Sequence, residues 1–306
     1  MLHCQAKVLL RSSEPQMNIE ALIGSEFSRN IGLLSEREQH QLLLARVAVV
    51  GAGGVGGLHI LTLARLGVGK FNIADPDTFE AANVSRQFGA ANSTYGRNKA
   101  EVLAEMVRDI NPQAEVTIFT EGVTEQNCDE FLGDAKVLID GIDFFEFTTR
   151  RKLFIAARAK GMHAVTCAPL GFGSTLQIFS PNGMDFDTYF GTNEQQSYER
   201  NLAAFAAGLA PNPYHISYLD ISKVRMTEKK GPAVAPACTL AASFLTTEVV
   251  KIITGSQKVY AVPHYIQVDM YKRKLKKGYL WFGGFNPLQK LKTALIFRKF
   301  KQSMKV

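Results

Sequence analysis

Apolar positions along the chain follow two rhythms. Over residues 46–166, short apolar runs alternate with longer stretches of helical periodicity. The runs at 46–50, 70–74, 116–120, 136–140 and 164–167 read as strands. They are near-continuously apolar, as strands covered on both faces are. Between them the spacing predicts helices over 55–66, 97–110, 125–132 and 144–159, the second stopped by Asn111-Pro112. Strand then helix, repeated, implies right-handed βαβ crossovers and a parallel sheet. Beyond 167 the rhythm changes. Residues 175–179 alternate and meet the turn signal Pro181-Asn182-Gly183. Residues 184–235 are loop-rich, with one helix over 198–209. A helix over 239–254 ends at Gly255, a C-cap, and 264–268 is a last strand. The expected fold class is α/β: a Rossmann-like, mostly parallel sheet with helices on both faces, extended by C-terminal antiparallel strands. No linker separates two independent halves. The expected division is an N-terminal helical arm (1–45), one α/β domain (46–270, with 184–235 as a crossover loop) and a tail (271–306).

Composition changes this picture in one place. Of 306 residues, 46% are hydrophobic and 21% charged, which excludes disordered, collagenous and coiled-coil classes. The net charge of +7 is unevenly spread. Residues 271–306 hold 11 of the 35 Lys and Arg and no acid, leaving 24 basic against 28 acidic groups in 1–270. That segment reads as a solvated extension or as a contact for a polyanion, either RNA or an anionic lipid surface. Wound as a helix from Leu288, it sets Leu288, Leu291 and Leu295 on one side, a partial amphipathicity. The apolar stretch 47–64 is broken by glycines and reads as a turn between elements, so no transmembrane segment is expected. Residues 1–16 have no apolar leader pattern. Cysteines 4, 128, 167 and 238 form no C-x-x-C pair, which suits a reducing cytoplasm and leaves no structural zinc expected.

The chemistry begins at Gly51-Ala52-Gly53-Gly54-Val55-Gly56, which follows a strand and opens a helix. Glycines there admit a tight turn and let backbone N–H groups approach a phosphate at the helix N-terminus. Asp75 lies 24 residues beyond Gly51, at the end of the next strand, where a carboxylate can accept from ribose hydroxyls. A nucleotide is expected, and dinucleotide dehydrogenases share this geometry. The loop then supplies Asp77, Asn83, Arg86 and Gln87, and the next helix Lys99. A nicotinamide site needs no such cluster of cations, whereas a triphosphate does. Asp143, just past the fourth strand, sits at the carboxyl edge of the sheet. A carboxylate there can hold Mg²⁺ together with phosphate oxygens.

With these residues the chain resembles the MoeB/ThiF/HesA family, the ubiquitin-activating-type adenylyltransferases. The resemblance covers about residues 27–270. It rests on Ser28-Arg29-Asn30, the glycine loop, Asp75-Pro76-Asp77, Asn83-Val84-Ser85-Arg86-Gln87 and Gly96-Arg97-Asn98-Lys99. Ile110-Asn111-Pro112, Asp140-Gly141-Ile142-Asp143 and Ala233-Val234-Ala235-Pro236 complete the series. It implies an ATP-dependent adenylyltransferase, in which a substrate carboxylate attacks the α-phosphate of MgATP to give an acyl-adenylate and pyrophosphate. It assigns phosphate binding to Gly51, Gly53, Gly54 and Gly56, and the ribose to Asp75. Asp77, Asn83, Arg86, Gln87 and Lys99 would line the triphosphate, and Asp143 would hold Mg²⁺. Arg29 would reach the nucleotide of a partner subunit, the family being typically a two-fold dimer. Arg86, Lys99, Asp143 and Arg29 are thus the catalytic set. The implied substrate carries a carboxylate: a ubiquitin-like C-terminus, a peptide, a modified tRNA base or a small acid.

The departures from the pattern define the alternatives. Phe144 stands where the family often has Asn after the acid, and the crossover loop carries no cysteine. Thiol transfer is therefore not expected. Activation of a small carboxylate without a thioester, as in the branch acting on tRNA threonylcarbamoyladenosine, is one alternative, supported by Val123-Thr124, Asn127 and Asp140-Gly141-Ile142-Asp143. A catalytically silent scaffold binding ATP or an NAD-type nucleotide is another. Cys238 near a helix start reads as a small buried residue, the histidines show no metal-ligand spacing, and Phe144, Phe145 and Phe147 read as core on the helix after Asp143.

Overall fold

The computed structural model describes residues 26–225 and 227–303. Residues 1–25 of the expected N-terminal arm lie outside the described residues, as do Met226 and residues 304–306. Eight strands form one sheet in the order β3-β2-β1-β4-β5-β6-β7-β8. They are β1 (Arg46–Val50), β2 (Lys70–Ala74), β3 (Glu115–Phe119), β4 (Val137–Asp140), β5 (His163–Leu170), β6 (Gly173–Phe179), β7 (His264–Asp269) and β8 (Lys274–Tyr279). The first five pair in parallel and the last three antiparallel. This is the expected fold class.

The helices are α1 (Glu36–Leu44), α2 (Gly54–Arg65), α3 (Lys99–Ile110), α4 (Cys128–Leu132), α5 (Phe147–Ala159), α6 (Phe186–Phe190), α7 (Tyr198–Leu209), α8 (Ala235–Thr254) and α9 (Pro287–Ser303). Local chemistry sets their starts. Ser35 and Glu38 form a reciprocal capping box on α1. The Asn98 side chain accepts from the N–H groups of Ala100 and Glu101 on α3, and Ser197 accepts from Arg200 N–H on α7. Gly255 ends α8 in the left-handed conformation, as its C-cap position demands.

The two-residue period of a strand divides the core. Val47 and Val49 of β1 face a layer with Ile60, Leu63, Leu103 and Leu245, from α2, α3 and α8. Ala48 and Val50 face the opposite layer, with Phe131, Leu153, Phe154 and Phe205. There Phe147, Phe154, Phe179, Phe186, Phe190 and Phe205 pack with ring centroids 4.7–6.1 Å apart. Helix α8 is long and apolar enough, by length and composition, to cross a membrane. Here it packs on β5, β6 and α2 and buries Ala241, Leu245 and Val249.

Three regions differ from the sequence reading, the first being the crossover segment, which holds the short helix α6 as well as α7. Residues 271–303 are not a free extension: β8 is the edge strand of the sheet, and α9 packs along α7. Gln289 and Thr293 of α9 are buried, and Lys292 Nζ donates to Pro211 O at 2.7 Å. The helix after Asp143 begins at Phe147, not at Phe144. Phe144 lies in the loop, half-buried, with its ring stacked 5.7 Å from Phe205. Phe145 and Phe147 are buried, as expected of core residues.

His59 on α2 is fully buried, and both ring nitrogens lack a hydrogen-bond partner. Burial lowers its pKa to about 3. The folded protein therefore binds fewer protons here than the unfolded chain between about pH 3 and pH 6.5. Stability is unaffected above the unfolded value and falls as pH drops below it, levelling off near the folded value. His59→Leu is expected to flatten the acid limb of a Tm-versus-pH curve in that window, measured by thermal denaturation. An unchanged limb would contradict the assignment.

Candidate functional site

Strands β1, β2 and β4 end level with one another, since Val50 pairs with Ala74 on one side and Asp140 on the other. The segments that follow, 51–54, 75–98 and 141–146, therefore open on one edge of the sheet. Gly51 sits at φ +85, and a Cβ there would lie 2.3 Å from Gly141 O. A Cβ on Gly56 would lie 1.7 Å from Gly51 O. The first helical turn and the β4 loop thus cross in backbone contact, and no side chain fits between them. Gly53 is the N-cap of α2, so the free N–H groups at that end face the edge.

Asp75 is buried and braces this loop. Its Oδ2 accepts from Ala52 N–H at 2.6 Å and its Oδ1 from Asp77 N–H at 2.9 Å. Burial pushes its carboxyl above the usual range, while Lys99 and the two amides oppose the shift. Lys99 is 6% exposed, and its Nζ lies 2.9 Å from Asp77 Oδ2. Asp77 in turn is mostly exposed and holds the amine as a counter-ion. Gln87 is buried beside Gly53, with an amide oxygen that has no partner. Arg86 is half-buried next to Gly54 and donates to Ala82 O at 3.3 Å. Asn83 spends its Oδ1 on Glu80 N–H at 3.0 Å, capping the turn Ala81–Asn83.

Asp143 is exposed at the mouth of the edge, and its Oδ1 accepts from Phe145 N–H at 2.9 Å. Arg150 of α5 holds its loop from beneath. Arg150 Nε pairs with Asp140 Oδ2 at 2.8 Å, both side chains almost wholly buried. Its other nitrogens donate to the carbonyls of Ile142, Asp143 and Phe144. Sequence reasoning named the Asp140 motif but missed this arginine. The signal was an Arg on the same face of α5 as Leu153, Phe154 and Ala157.

Lys229 was also missed. It sits in the crossover segment at φ 52, the left-handed region, and its Nζ pairs with Glu146 Oε1 at 2.8 Å. Tyr198 Oη donates to Phe145 O at 2.6 Å. A cavity of about 100 Å³, lined by Phe145, Tyr198, Leu202, Thr227 and Lys229 among others, lies behind the Asp143 loop.

Arg29 is not gathered with these groups. It is exposed in the turn Ser28–Asn30, which Asn30 ties to Gln39 Oε1 (2.9 Å) and Leu66 O (3.3 Å). Leu66 is the C-cap of α2, and the glycine loop lies at that helix's other end, about 18 Å away. That exceeds the reach of one arginine side chain. Cys238 lies 1% exposed beneath Gly54, and burial pushes its thiol up to about 11, against the nearby Arg86. Among the described residues no cluster of three metal-ligating side chains occurs.

The sheet order and this glycine-lined edge define an α/β protein of Rossmann-like architecture. The chain belongs to the ThiF family, whose sequence profile matches residues 27–279. A SAMP-activating enzyme E1 of Haloferax volcanii is 32% identical over 169 residues, 55% of this chain and 62% of that protein. The tRNA threonylcarbamoyladenosine dehydratase of Escherichia coli is 36% identical over 118 residues, 38% of this chain and 44% of the relative. The chain thus spans about half the length of the curated relatives it matches. Among solved structures, Escherichia coli MccB with AMPCPP and MccA superposes with a TM-score of 0.63 at 17% identity. That match covers 84% of this chain and 71% of the other, and shows the fold.

Proposed function

We propose that this protein binds MgATP across the β1, β2 and β4 edge and adenylates a substrate carboxylate. One observation carries the reading. A side-chain-free glycine crossing lies beside a buried cation, Lys99, and a buried amide oxygen without a partner, Gln87, on the edge that Asp143 flanks. Such a cradle fits a nucleotide phosphate chain. The helix N-terminus offers amides, Asp75 offers ribose contacts, and Lys99 would exchange Asp77 for phosphate oxygens. Asp143 keeps Oδ2 for a cation shared with those oxygens, matching the one or two carboxylates Mg²⁺ usually takes. Mg²⁺ there would offset phosphate charge. The carboxylate oxygen attacks the α-phosphorus, the bond to the bridging oxygen breaks, and pyrophosphate leaves; no proton need move. Arg86, Lys99 and the loop amides hold the charge that develops.

Cys167 and Cys238 are buried with their thiols pushed up, which favours a reaction that does not use either as a thiolate nucleophile. Cys238→Ser is expected to leave the rate of AMP formation within about twofold of wild type. A hydroxylamine-sensitive thioester lost in that variant would contradict this. Named relatives are a SAMP-activating enzyme, an adenylyltransferase of the sulfur carrier protein ThiS and a tRNA threonylcarbamoyladenosine dehydratase. Dehydratases acting on tRNA threonylcarbamoyladenosine, at 31–37% identity, give the second reading of the acceptor. The direct test incubates [α-³²P]ATP with each acceptor class and hydroxylamine. Hydroxamate formed in step with AMP supports the reading, and none from any class rejects it.

The site is completed in a homodimer, with Arg29 serving the partner's nucleotide, and the protein works in the cytoplasm. The distance from Arg29 to its own glycine loop supports this arrangement, and a guanidinium suits phosphate recognition. Mixing Arg29→Ala and Asp143→Ala subunits is expected to restore about a quarter of wild-type activity, since heterodimers hold one intact site. No complementation in verified heterodimers would place the site within one chain.

A further inference from the structure

Helix α9 turns its apolar residues the wrong way for a helix that serves only the core. At 100° per residue, Gln289, Thr293 and Phe300 share the face that packs on α7, where Arg200 stacks over the Phe297 ring at 5.9 Å. Leu288, Leu291 and Leu295 form a stripe on the opposite side. With Trp281, Phe282 and Phe285 in the preceding turn they make six large apolar residues, each 55–72% exposed. Lys299 flanks the stripe on one side and Arg298 on the other, while the Lys292 ammonium is turned inward onto Pro211 O. Between 272 and 301 the chain carries ten Lys and Arg and no acid. Among the described residues none of these ten joins an ion pair.

We propose that this face docks on an anionic lipid surface, with the Trp281–Leu295 patch entering the headgroup boundary and the flanking cations meeting lipid phosphates. Apolar area and uncompensated positive charge occur together, and each narrows the occupant. A nucleic acid would meet the cations and leave the leucines wet. A second copy related by a two-fold axis would cover the leucines but set this acid-free surface against itself. An anionic bilayer satisfies both: the aromatic and leucine side chains of the turn and helix would enter the headgroup boundary while the Lys and Arg meet lipid phosphates. The inference does not depend on the adenylation reading.

Trp281 is the chain's one tryptophan, so its emission reports directly on the patch. The full chain is titrated with vesicles of phosphatidylcholine alone and of phosphatidylcholine mixed with phosphatidylglycerol. A blue shift and co-sedimentation are expected with the mixed vesicles only, weakening as salt rises from about 50 to about 200 mM. Leu288→Ser/Leu291→Ser/Leu295→Ser, which leaves charge unchanged, should lower the affinity about a hundredfold or more at an unaltered Tm. Absence of any shift at low salt overturns the proposal, as does binding that the triple variant does not change. A monomer–dimer equilibrium abolished by the triple variant, without vesicle binding, would give the face to a second copy. RNA binding that survives in the variant, without vesicle binding, would give the cations to nucleic acid.

Discussion

Replacing Asp143 with alanine is expected to slow ATP–pyrophosphate exchange by about two to three orders of magnitude, the usual cost of removing one group that stabilises transition-state charge. The fold should survive. Asp143 is exposed, and the hydrogen bond its side chain accepts, from Phe145 N–H at 2.9 Å, is worth about 0.5–1.5 kcal/mol. Asp143→Asn separates the two roles: the amide oxygen can still accept from Phe145, while the negative charge is gone. Exchange near the wild-type rate in the asparagine variant would remove Asp143 from the chemistry.

Arg150→Ala should produce the largest loss of stability, about 3–5 kcal/mol, because it strands the buried Asp140 carboxylate. The same side chain also donates to the carbonyls of Ile142, Asp143 and Phe144, so the Asp143 loop should loosen along with the core. Thermal denaturation is expected to show a fall in Tm on the order of 10 °C. The paired change Arg150→Met/Asp140→Leu should recover much of that stability, since a well-packed apolar pair can replace a buried ion pair. If Arg150→Ala alone leaves Tm unchanged, the ion pair is not holding the β4 edge.

The parallel half of the sheet was legible because its strands are covered on both faces and its glycines have a backbone reason to be there. Periodicity also placed the helix Tyr198–Leu209 with its observed bounds. What stayed hidden lies where charge masks the pattern. Edge strand β8 carries Lys274, Lys276 and Lys277, the kind of polar edge that deters further pairing and erases alternation. The five-residue α6 is too short for a helical period to register. In the site, residue types told which groups were available but not whom they touch. Lys99 was read as a phosphate ligand, and its pairing with Asp77 depends on two segments 22 residues apart. Asn83 is engaged in a local cap, a competition between backbone and ligand that composition does not reveal. Arg150 was invisible because an arginine in an apolar stripe looks like a surface residue until its carboxylate is located.

The central claim is that the edge formed by residues 51–56, Asp75, Lys99 and Asp143 activates a carboxylate with ATP. Exchange of [³²P]pyrophosphate into ATP, run with a ubiquitin-like C-terminus, a peptide, a threonylcarbamoyladenosine-bearing tRNA and small acids, tests it most directly. The account predicts exchange with at least one class, lowered by about 10²–10³ in Lys99→Ala and Asp143→Ala. ATP bound but no exchange with any class, or exchange indifferent to both variants, would contradict it.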